Sequence, residues 1–266
     1  MKPVRNPDDG VRRVVDDAMW ELLSGILAKL LSKRGAPPAL ALREFLEAIF
    51  FWARTGVPWR DLPACFGEWD AVYARWRRWE GKDRWKKLWR ELQALAPQHE
   101  ATRYADSTVI RAHQHASGGD HAPEQRATGR SRGGVGTKIH VLATDAQTAV
   151  AVTITPGQDH DLSAFDDTMA EVPEDVLATA VVADKAFDSD ALRADLQAAG
   201  FDVTIPPRRG RRQPADYDRT KYKARNQVER LINRLKRLKR LATRYEKLAC
   251  TYLAVVHLGC ILSIIA

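Results

Sequence analysis

The sequence predicts an α/β fold, a mixed sheet with flanking helices, preceded by an all-α N-terminal domain. All eight tryptophans lie within the first 89 residues, whereas every strand-like segment follows residue 100. Behind that point a hairpin comes first and helix-linked strands follow, an order typical of a mixed sheet covered by helices. The composition changes near Ala96-Pro97, so we expect one domain over residues 1–97 and a second over residues 98–266.

The first domain shows apolar residues at helical spacing. They predict helices over residues 39–55, 59–65, 70–80 and 85–95. We interpret the tryptophans as a small helical core. Two short helices separated by a Gly-containing turn, the second one basic, resemble a helix-turn-helix, and dimerisation through the tryptophans is the alternative. The basic side chains expected to face outward and contact DNA are Arg75, Arg77 and Arg78.

The second domain alternates strand and helix patterns. A short strand is expected over residues 103–106, a hairpin over 138–144 and 149–155, and a further strand over 201–205. Val176 to Ala183 is a continuous apolar run, which fits a strand buried on both faces. Helices are expected around Phe165 and from Ser189, as N-cap, to Gly200.

Charge and cysteine usage bound the function. The net charge of +8 favours a polyanionic partner, usually nucleic acid. Three scattered cysteines argue against a disulfide framework or a structural zinc site, and the spacing of His113, His115 and His121 fits no strong zinc pattern. No secretory signal is apparent, which favours the cytoplasm. Leu248 to Ala266 is nearly long enough to span a bilayer; a buried core helix is the plainer interpretation, and a membrane anchor is the alternative.

A Gly- and Arg-rich stretch between Ser117 and Gly136 is predicted to form a loop. Its cations either bind phosphate or belong to a solvated surface. The further basic residues that we expect near DNA, from this stretch, the following strand and the C-terminal helices, are Arg126, Arg130, Arg132, Lys138, Arg230, Arg234 and Arg237.

Three carboxylates have positions that suggest a site. Asp106 follows the first strand candidate and Asp184 ends the buried apolar run, although either could simply start a turn or cap a helix. Glu229 belongs to a basic helical segment in which residues 221–247 contain eleven Lys or Arg and two Glu. A helix turns by ~100° per residue, so Glu229 and three other side chains of this segment would fall within an arc of roughly 60° on one helix face. Those side chains are Tyr222, Arg225 and Lys236.

The alternative for Glu229 is an ordinary ion pair with Arg225 one turn away. That pair would leave the basic excess unexplained, whereas a phosphate backbone would account for it. Phosphodiester hydrolysis needs an activated nucleophile and a stabilised leaving oxygen, and two magnesium ions can supply both. Magnesium prefers hard oxygen ligands. We therefore expect Asp106, Asp184 and Glu229 to hold two Mg²⁺ ions, which Mn²⁺ would replace.

These residues resemble the DDE transposases of bacterial insertion sequences, specifically insertion-sequence family five. The superfamily signature is Tyr, two residues, Arg, three residues, Glu, six residues, Lys, and it is present without departure as Tyr222, Arg225, Glu229 and Lys236. The stretches ADSTVIRAH and VADKAFDS match around the first two acids. The resemblance covers roughly Leu42 to Ala266.

The resemblance implies an RNase H-like catalytic domain with Asp106, Asp184 and Glu229 as catalytic residues. It implies cleavage at terminal inverted repeats, transfer of 3′-hydroxyls to target DNA, and a dimer or larger assembly on double-stranded DNA in the bacterial nucleoid. Only 44 residues separate Asp184 from Glu229, which leaves no room for the large β insertion of some relatives. Cut-and-paste and copying pathways both stay open. The alternatives are an RNase H-like nuclease without strand joining and a non-catalytic DNA-binding protein.

Overall fold

A computed structural model describes residues 10–31, 40–95, 102–116, 122–131 and 133–265 of the chain. Its N-terminal part is helical, as predicted. The α-helices are α1 (Asp17–Leu30), α2 (Leu42–Thr55), α3 (Trp69–Glu80) and α4 (Arg84–Leu95). Trp52, Trp76, Trp79, Trp85 and Trp89 are fully buried between them, which confirms the tryptophan core. Such a core is the expected place for large aromatic rings, whose burial stabilises a small helical unit more than any other side chain.

One part of the helix-turn-helix interpretation is wrong. The segment predicted as a short helix over residues 59–65 forms two 3₁₀ turns instead, Trp59–Asp61 and Ala64–Phe66. Pro58 and Pro63 each precede a turn and fix the extended backbone there, so the segment cannot continue as one helix. The helical pair around the turn after Gly81 is present as α3 and α4.

The second part contains a seven-stranded sheet in the described portion of the chain. Its strands are β1 (Thr102–Ala112), β2 (Gly129–Ser131), β3 (Gly134–Ala143), β4 (Ala149–Pro156), β5 (Ala180–Ala183), β6 (Asp202–Thr204) and β7 (Thr243–Arg244). β4 pairs with β3 and β3 with β1, both antiparallel, whereas β5 runs parallel to β1 and β6 parallel to β5. This mixed sheet is the RNase H-like arrangement that the resemblance implied.

The remaining helices follow the strands and cover the sheet. They are α5 (Pro123–Arg126), α6 (Phe165–Ala170), α7 (Asp190–Ala198), α8 (Arg219–Lys223), α9 (Asn226–Leu235), α10 (Lys239–Ala242) and α11 (Ala249–Ile265). Ser189 caps α7 as predicted, and Gly200 follows it at φ +85°. No helix in the described ranges is both long and apolar enough to cross a bilayer. α11 is instead buried on nearly every side, as the core interpretation predicts.

One hydrophobic core joins the two parts of the chain. It contains side chains of α1–α4, of one face of the sheet, and of α9 and α11. A second, smaller cluster lies on the opposite face of the sheet and is closed by α6 and α7. Consequently the helical N-terminal part shares this core with the sheet, mainly through α10 and α11, and the division near residue 97 marks a change of secondary structure within a shared core.

Candidate active site

Asp106 and Asp184 lie side by side on neighbouring strands. β1 and β5 are parallel, and Tyr104 pairs with Val182 and Ala105 with Ala183, so the next position in this register places Asp106 beside Asp184. Side chains alternate between the faces of a sheet, so both aspartates share the face of Tyr104 and Val182, against which α9 packs. The prediction that Asp106 ends a strand is wrong. It lies in the middle of β1, which continues to Ala112 because β3 and β7 pair with its second half.

The backbone holds both carboxylates at the point where β5 ends. Asp184 caps the 3₁₀ turn that follows and accepts a hydrogen bond from the Ala186 amide at 2.8 Å. Asp106 accepts one from the Ser107 amide at 2.9 Å. Each aspartate therefore has one oxygen engaged by the backbone.

Glu229 joins this site through Arg225. The Arg225 guanidinium places Nη1 3.1 Å from Oδ2 of Asp106 and donates from Nη2 to Oε1 of Glu229 at 2.5 Å. The Glu229–Arg225 pair that the sequence offered as an alternative is thus present, and the same guanidinium also reaches Asp106. The Arg225 side chain is 13% exposed, whereas that of Glu229 is half exposed at 50%.

The predicted single helix face does not exist as one continuous helix. The segment breaks into α8 and α9 with a turn at Ala224 and Arg225 between them. Asp218 caps α8 by accepting from the amides of Thr220 and Lys221. The turn directs Arg225 at the sheet, and the Tyr222 ring lies 5.8 Å from its guanidinium.

Electrostatics tie the four charged groups together. Burial raises the pKa of Asp106; the positive charge of Arg225 opposes this rise and the negative charge of Asp184 adds to it. Burial alone would lower the pKa of Arg225, but the carboxylates of Asp106 and Glu229 outweigh it and the pKa is raised. The guanidinium is therefore the counterion of an acidic centre to which both strands and α9 contribute.

The donor set fits a divalent cation in kind. Carboxylate oxygens are the ligands that Mg²⁺ prefers, and the neighbouring charges of Asp106 and Asp184 repel each other until a cation joins them. Within the described ranges, however, no three acidic, His or Cys side chains are arranged to hold an ion together. Glu229 is engaged by Arg225, so the third ligand would be available only after that pair opens.

A polar cluster missed by the sequence analysis supports the Asp106 strand from the other face. Ser107 donates to Oδ1 of Asp161 at 2.6 Å, and the Lys138 ammonium donates to the same oxygen at 2.6 Å and to the Asp159 carbonyl. These bonds lower the pKa of Asp161 although burial acts in the opposite direction. Asp161 lies in an irregular polar stretch, where residue periodicity gives no signal.

The structure corrects two of the residues predicted to contact DNA. The ammonium of Lys138 is engaged by Asp161 and is only 13% exposed. Arg75 is buried rather than outward, because its guanidinium donates to the Leu40 carbonyl at 2.8 Å and lies 4.5 Å from the Phe45 ring. Both cations hold the fold together and have no free face for a phosphate.

The other predicted cations are distributed over the surface. Arg78, Arg130, Arg230, Lys236 and Arg237 are exposed. Arg77 is also exposed and pairs with Glu80. Arg126 and Arg234 are half-buried, and Arg132 lies outside the described residues. Lys236 follows the end of α9, so it does not share a helical turn with the acids.

Part of the basic excess near the C-terminus is internal. Arg244 is completely buried and donates to the carbonyls of Ala127 and Arg126, among others. Arg240 is buried too, donates to the Val57 carbonyl and pairs with Glu246. The sequence count of basic residues therefore overstates the charge available to DNA. Of the three histidines, His113 and His115 have ring centroids 4.5 Å apart, and His121 lies outside the described residues.

Comparisons with known proteins identify the family of this chain. Residues 98–264 match the family described as "Transposase DDE domain", and residues 15–89 match the family described as "Putative transposase of IS4/5 family". A putative transposase for insertion sequence element IS6501 of Brucella ovis is 37% identical over 83 residues, which are 30% of this chain and 62% of that protein. The uncharacterized protein y4sN of Sinorhizobium fredii is 38% identical over 112 residues, 41% of this chain and 82% of that protein.

Solved structures give a weaker likeness. The Mos1 transposase paired-end complex with left transposon end aligns at a TM-score of 0.26 and 15% identity, over 69% of this chain and 64% of that chain. A pre-cleavage Mos1 transpososome aligns at 0.28 and 11% identity, over 92% and 85% of the two chains. Scores this low carry no argument, and the assignment depends on the family matches, which together cover most of the sequence. The chain belongs to the DDE transposases, in the branch of the IS4/5 insertion sequences.

Proposed function

We propose that this transposase binds the terminal inverted repeats of its insertion sequence, cleaves them by metal-dependent phosphodiester hydrolysis and joins the 3′-hydroxyl ends to target DNA. The observation that carries the proposal is the grouping of Asp106, Asp184 and Glu229 around one guanidinium. A structural ion pair needs one acid for one arginine. Three acids from two strands and a helix exceed that need and supply the ligands of a metal-dependent nuclease.

Two bound Mg²⁺ ions would supply the activated nucleophile and the stabilised leaving oxygen. Asp106 on β1, Asp184 at the end of β5 and Glu229 on α9 would hold these ions. Arg225 has to release Glu229 for this, and a phosphate of the arriving DNA is the natural new partner for its guanidinium. Binding of DNA would thus free the ligand that completes the site.

The N-terminal helices are proposed to read the inverted repeat. Arg78 is exposed on α3, a basic helix that follows the two 3₁₀ turns of residues 59–66. Phosphate contacts alone give no sequence discrimination, whereas a basic helix in the major groove reads base edges. Arg77 pairs with Glu80 and Arg75 is buried, so Arg78 is the strongest candidate among the three arginines.

Variants of the three acids test the catalytic part. Asp106→Asn, Asp184→Asn and Glu229→Gln should each abolish cleavage of a supercoiled plasmid that carries the element's two ends in Mg²⁺. Binding of an end duplex should change little. Calcium should support binding better than cleavage, because it accepts looser geometry than magnesium. Matched controls are Asp166→Asn and Glu91→Gln, which make the same chemical changes at exposed sites on α6 and α4.

Full cleavage by any of the three variants would remove that residue from the site. The same assay separates transposition from simple nuclease action. A chain that nicks or cuts the plasmid but yields no joined product with an added target duplex would be a nuclease of this fold. Joined products whose formation requires a free 3′-hydroxyl would establish strand transfer.

A further inference from the structure

The segment between β6 and α8 leaves the sheet next to the candidate active site. β6 is parallel to β5, and Thr204 pairs with Val182. The carboxyl ends of these strands therefore lie at one edge of the sheet, and residues after Thr204 emerge beside Asp184. The segment is rich in arginine, since residues 206–212 are Pro-Pro-Arg-Arg-Gly-Arg-Arg.

A buried carboxylate anchors this segment. The Asp188 side chain is 1% exposed and accepts from the Arg208 amide at 2.8 Å and from Arg193 Nη2 at 3.0 Å. It also accepts from Arg211. The guanidinium of Arg208 in turn donates to the carbonyls of Lys185 and Ala186, at 3.2 and 2.8 Å. Arg208 thereby fastens the segment to the two residues that follow Asp184.

Two of the four arginines have side chains bonded to the rest of the protein, and two do not. Arg208 and Arg211 make the contacts just described, and Gly210 between them adopts φ +84°, a left-handed conformation that glycine accepts freely. Arg209 and Arg212 are exposed, and neither side chain has an ion pair or hydrogen bond within the described part of the chain. Arg209 and Arg212 are thus exposed on a segment that hydrogen bonds hold in place beside the acidic centre.

We infer that Arg209 and Arg212 form a binding site for the phosphate backbone of the DNA strand that enters the active site. The inference rests on the proposed function, because it assumes that DNA reaches Asp184. A guanidinium binds phosphate through two parallel hydrogen bonds, and its positional freedom is reduced here by the neighbouring anchored residues. The charge of the segment would also offset repulsion between the phosphates and the three active-site acids.

An ordinary solvated surface would not need two unpaired arginines on a segment that is anchored by hydrogen bonds. In such a surface, arginines commonly pair with nearby acids, and Arg211 already does so with Asp188 and Asp190. Arg209 and Arg212 have no such partner within the described part of the chain, although acidic residues are close in the sequence. A partner that arrives from outside, and is itself an anion, fits this arrangement.

The salt dependence of DNA binding tests the inference. Each phosphate contact adds roughly 0.9 to the steepness with which log affinity falls against log salt concentration. One contact therefore makes binding at 0.15 M salt about fivefold tighter relative to binding at 1 M salt. Arg209→Ala and Arg212→Ala should each lower the slope by about one, and the double variant by about two. The control is Lys29→Ala, which removes one exposed charge from α1, and its slope should stay at the wild-type value.

Two DNA probes show which kind of DNA the site binds. One is a duplex of the sequence that flanks the coding region, and the other is a random duplex of equal length. A loss confined to the flanking duplex assigns the site to the element's end, and an equal loss on both assigns it to any DNA backbone, including the target. Unchanged slopes on both duplexes in the double variant overturn the inference. Failure of the wild-type chain to bind either duplex would instead refute the proposed function.

Discussion

Replacing Arg225 tests whether its guanidinium occupies the centre that metal ions are proposed to take. Without metal, Arg225→Ala leaves Asp106 and Glu229 without their counterion. Asp106 is only 18% exposed, and leaving its carboxylate without the ion pair to Arg225 costs about 1.5–3 kcal/mol. The half-exposed pair with Glu229, one turn along the helix, adds about 0.3–0.5 kcal/mol.

The expected loss is therefore about 2–3.5 kcal/mol in the free energy of unfolding in EDTA. For a chain of this size the melting temperature should fall by about 4–14 °C. With Mn²⁺ the variant should have the advantage, because it should bind the metal more tightly than wild type does. Wild type must give up the Arg225 contacts to bind metal, whereas the variant need not, so the same energy appears as roughly 30- to 300-fold tighter metal binding.

Thermal unfolding and calorimetric titration with Mn²⁺ measure both effects without any DNA. Arg230→Ala, on the exposed side of α9, controls for the loss of a charge from the same helix. Arg225→Lys keeps the charge but cannot reach two carboxylates in a fork, so its metal affinity should fall between wild type and Arg225→Ala. If Arg225→Ala binds Mn²⁺ no more tightly than wild type, the guanidinium does not compete with metal and the reasoning is refuted.

Three further outcomes are expected. Arg78→Ala should relax specificity at one or two base positions of the inverted repeat by ~1–3 kcal/mol, seen as a changed footprint in competition with mismatched duplexes; uniform weakening would indicate a phosphate contact. Arg244→Lys should lower the free energy of unfolding in urea by about 1–3 kcal/mol for each buried carbonyl that lysine leaves unsatisfied, and a loss below about 1 kcal/mol would contradict that role. Burial lowers the pKa of His257 to about 3, so the native state stays neutral while the unfolded state gains a proton below about pH 6.5. Stability should therefore fall as the pH drops through this range, and His257→Gln should reduce the slope by about 1.4 kcal/mol per pH unit near pH 5; an unchanged slope would show that His257 does not cause it.

Much of the fold could be predicted, and so could the three acids that the structure brings near Arg225, because their signals are local. The apolar run before Asp184 predicts a buried strand, and the Tyr222–Lys236 spacing marks the third acid. The errors arise where a distant segment decides the structure. β1 continues past Asp106 only because residues 136 and 243 pair with Arg111. Arg75 is buried because a carbonyl 35 positions away accepts its hydrogen bond.

The break between α8 and α9 also lacks a sequence signal. Neither Gly nor Pro occurs in Lys221–Leu235, so helical spacing alone predicts one continuous helix. The observed turn at Arg225 brings its guanidinium to Asp106, an interaction that only the folded sheet provides. The Asp188 anchor escaped prediction for the same reason, since its partners lie up to 23 positions away.

The position of α11 has a consequence for synthesis of the protein. This helix, which follows the other described helices and strands in the chain, lies inside the hydrophobic core and contacts α4, α9 and β4. Until residues 249–265 have left the ribosome, the tryptophan helices and the sheet lack the helix that packs between them. The nascent chain consequently cannot assemble its acidic centre step by step. The acidic centre should therefore form only after α11 has been synthesised, and a frameshift or stop codon before residue 249 should prevent its formation.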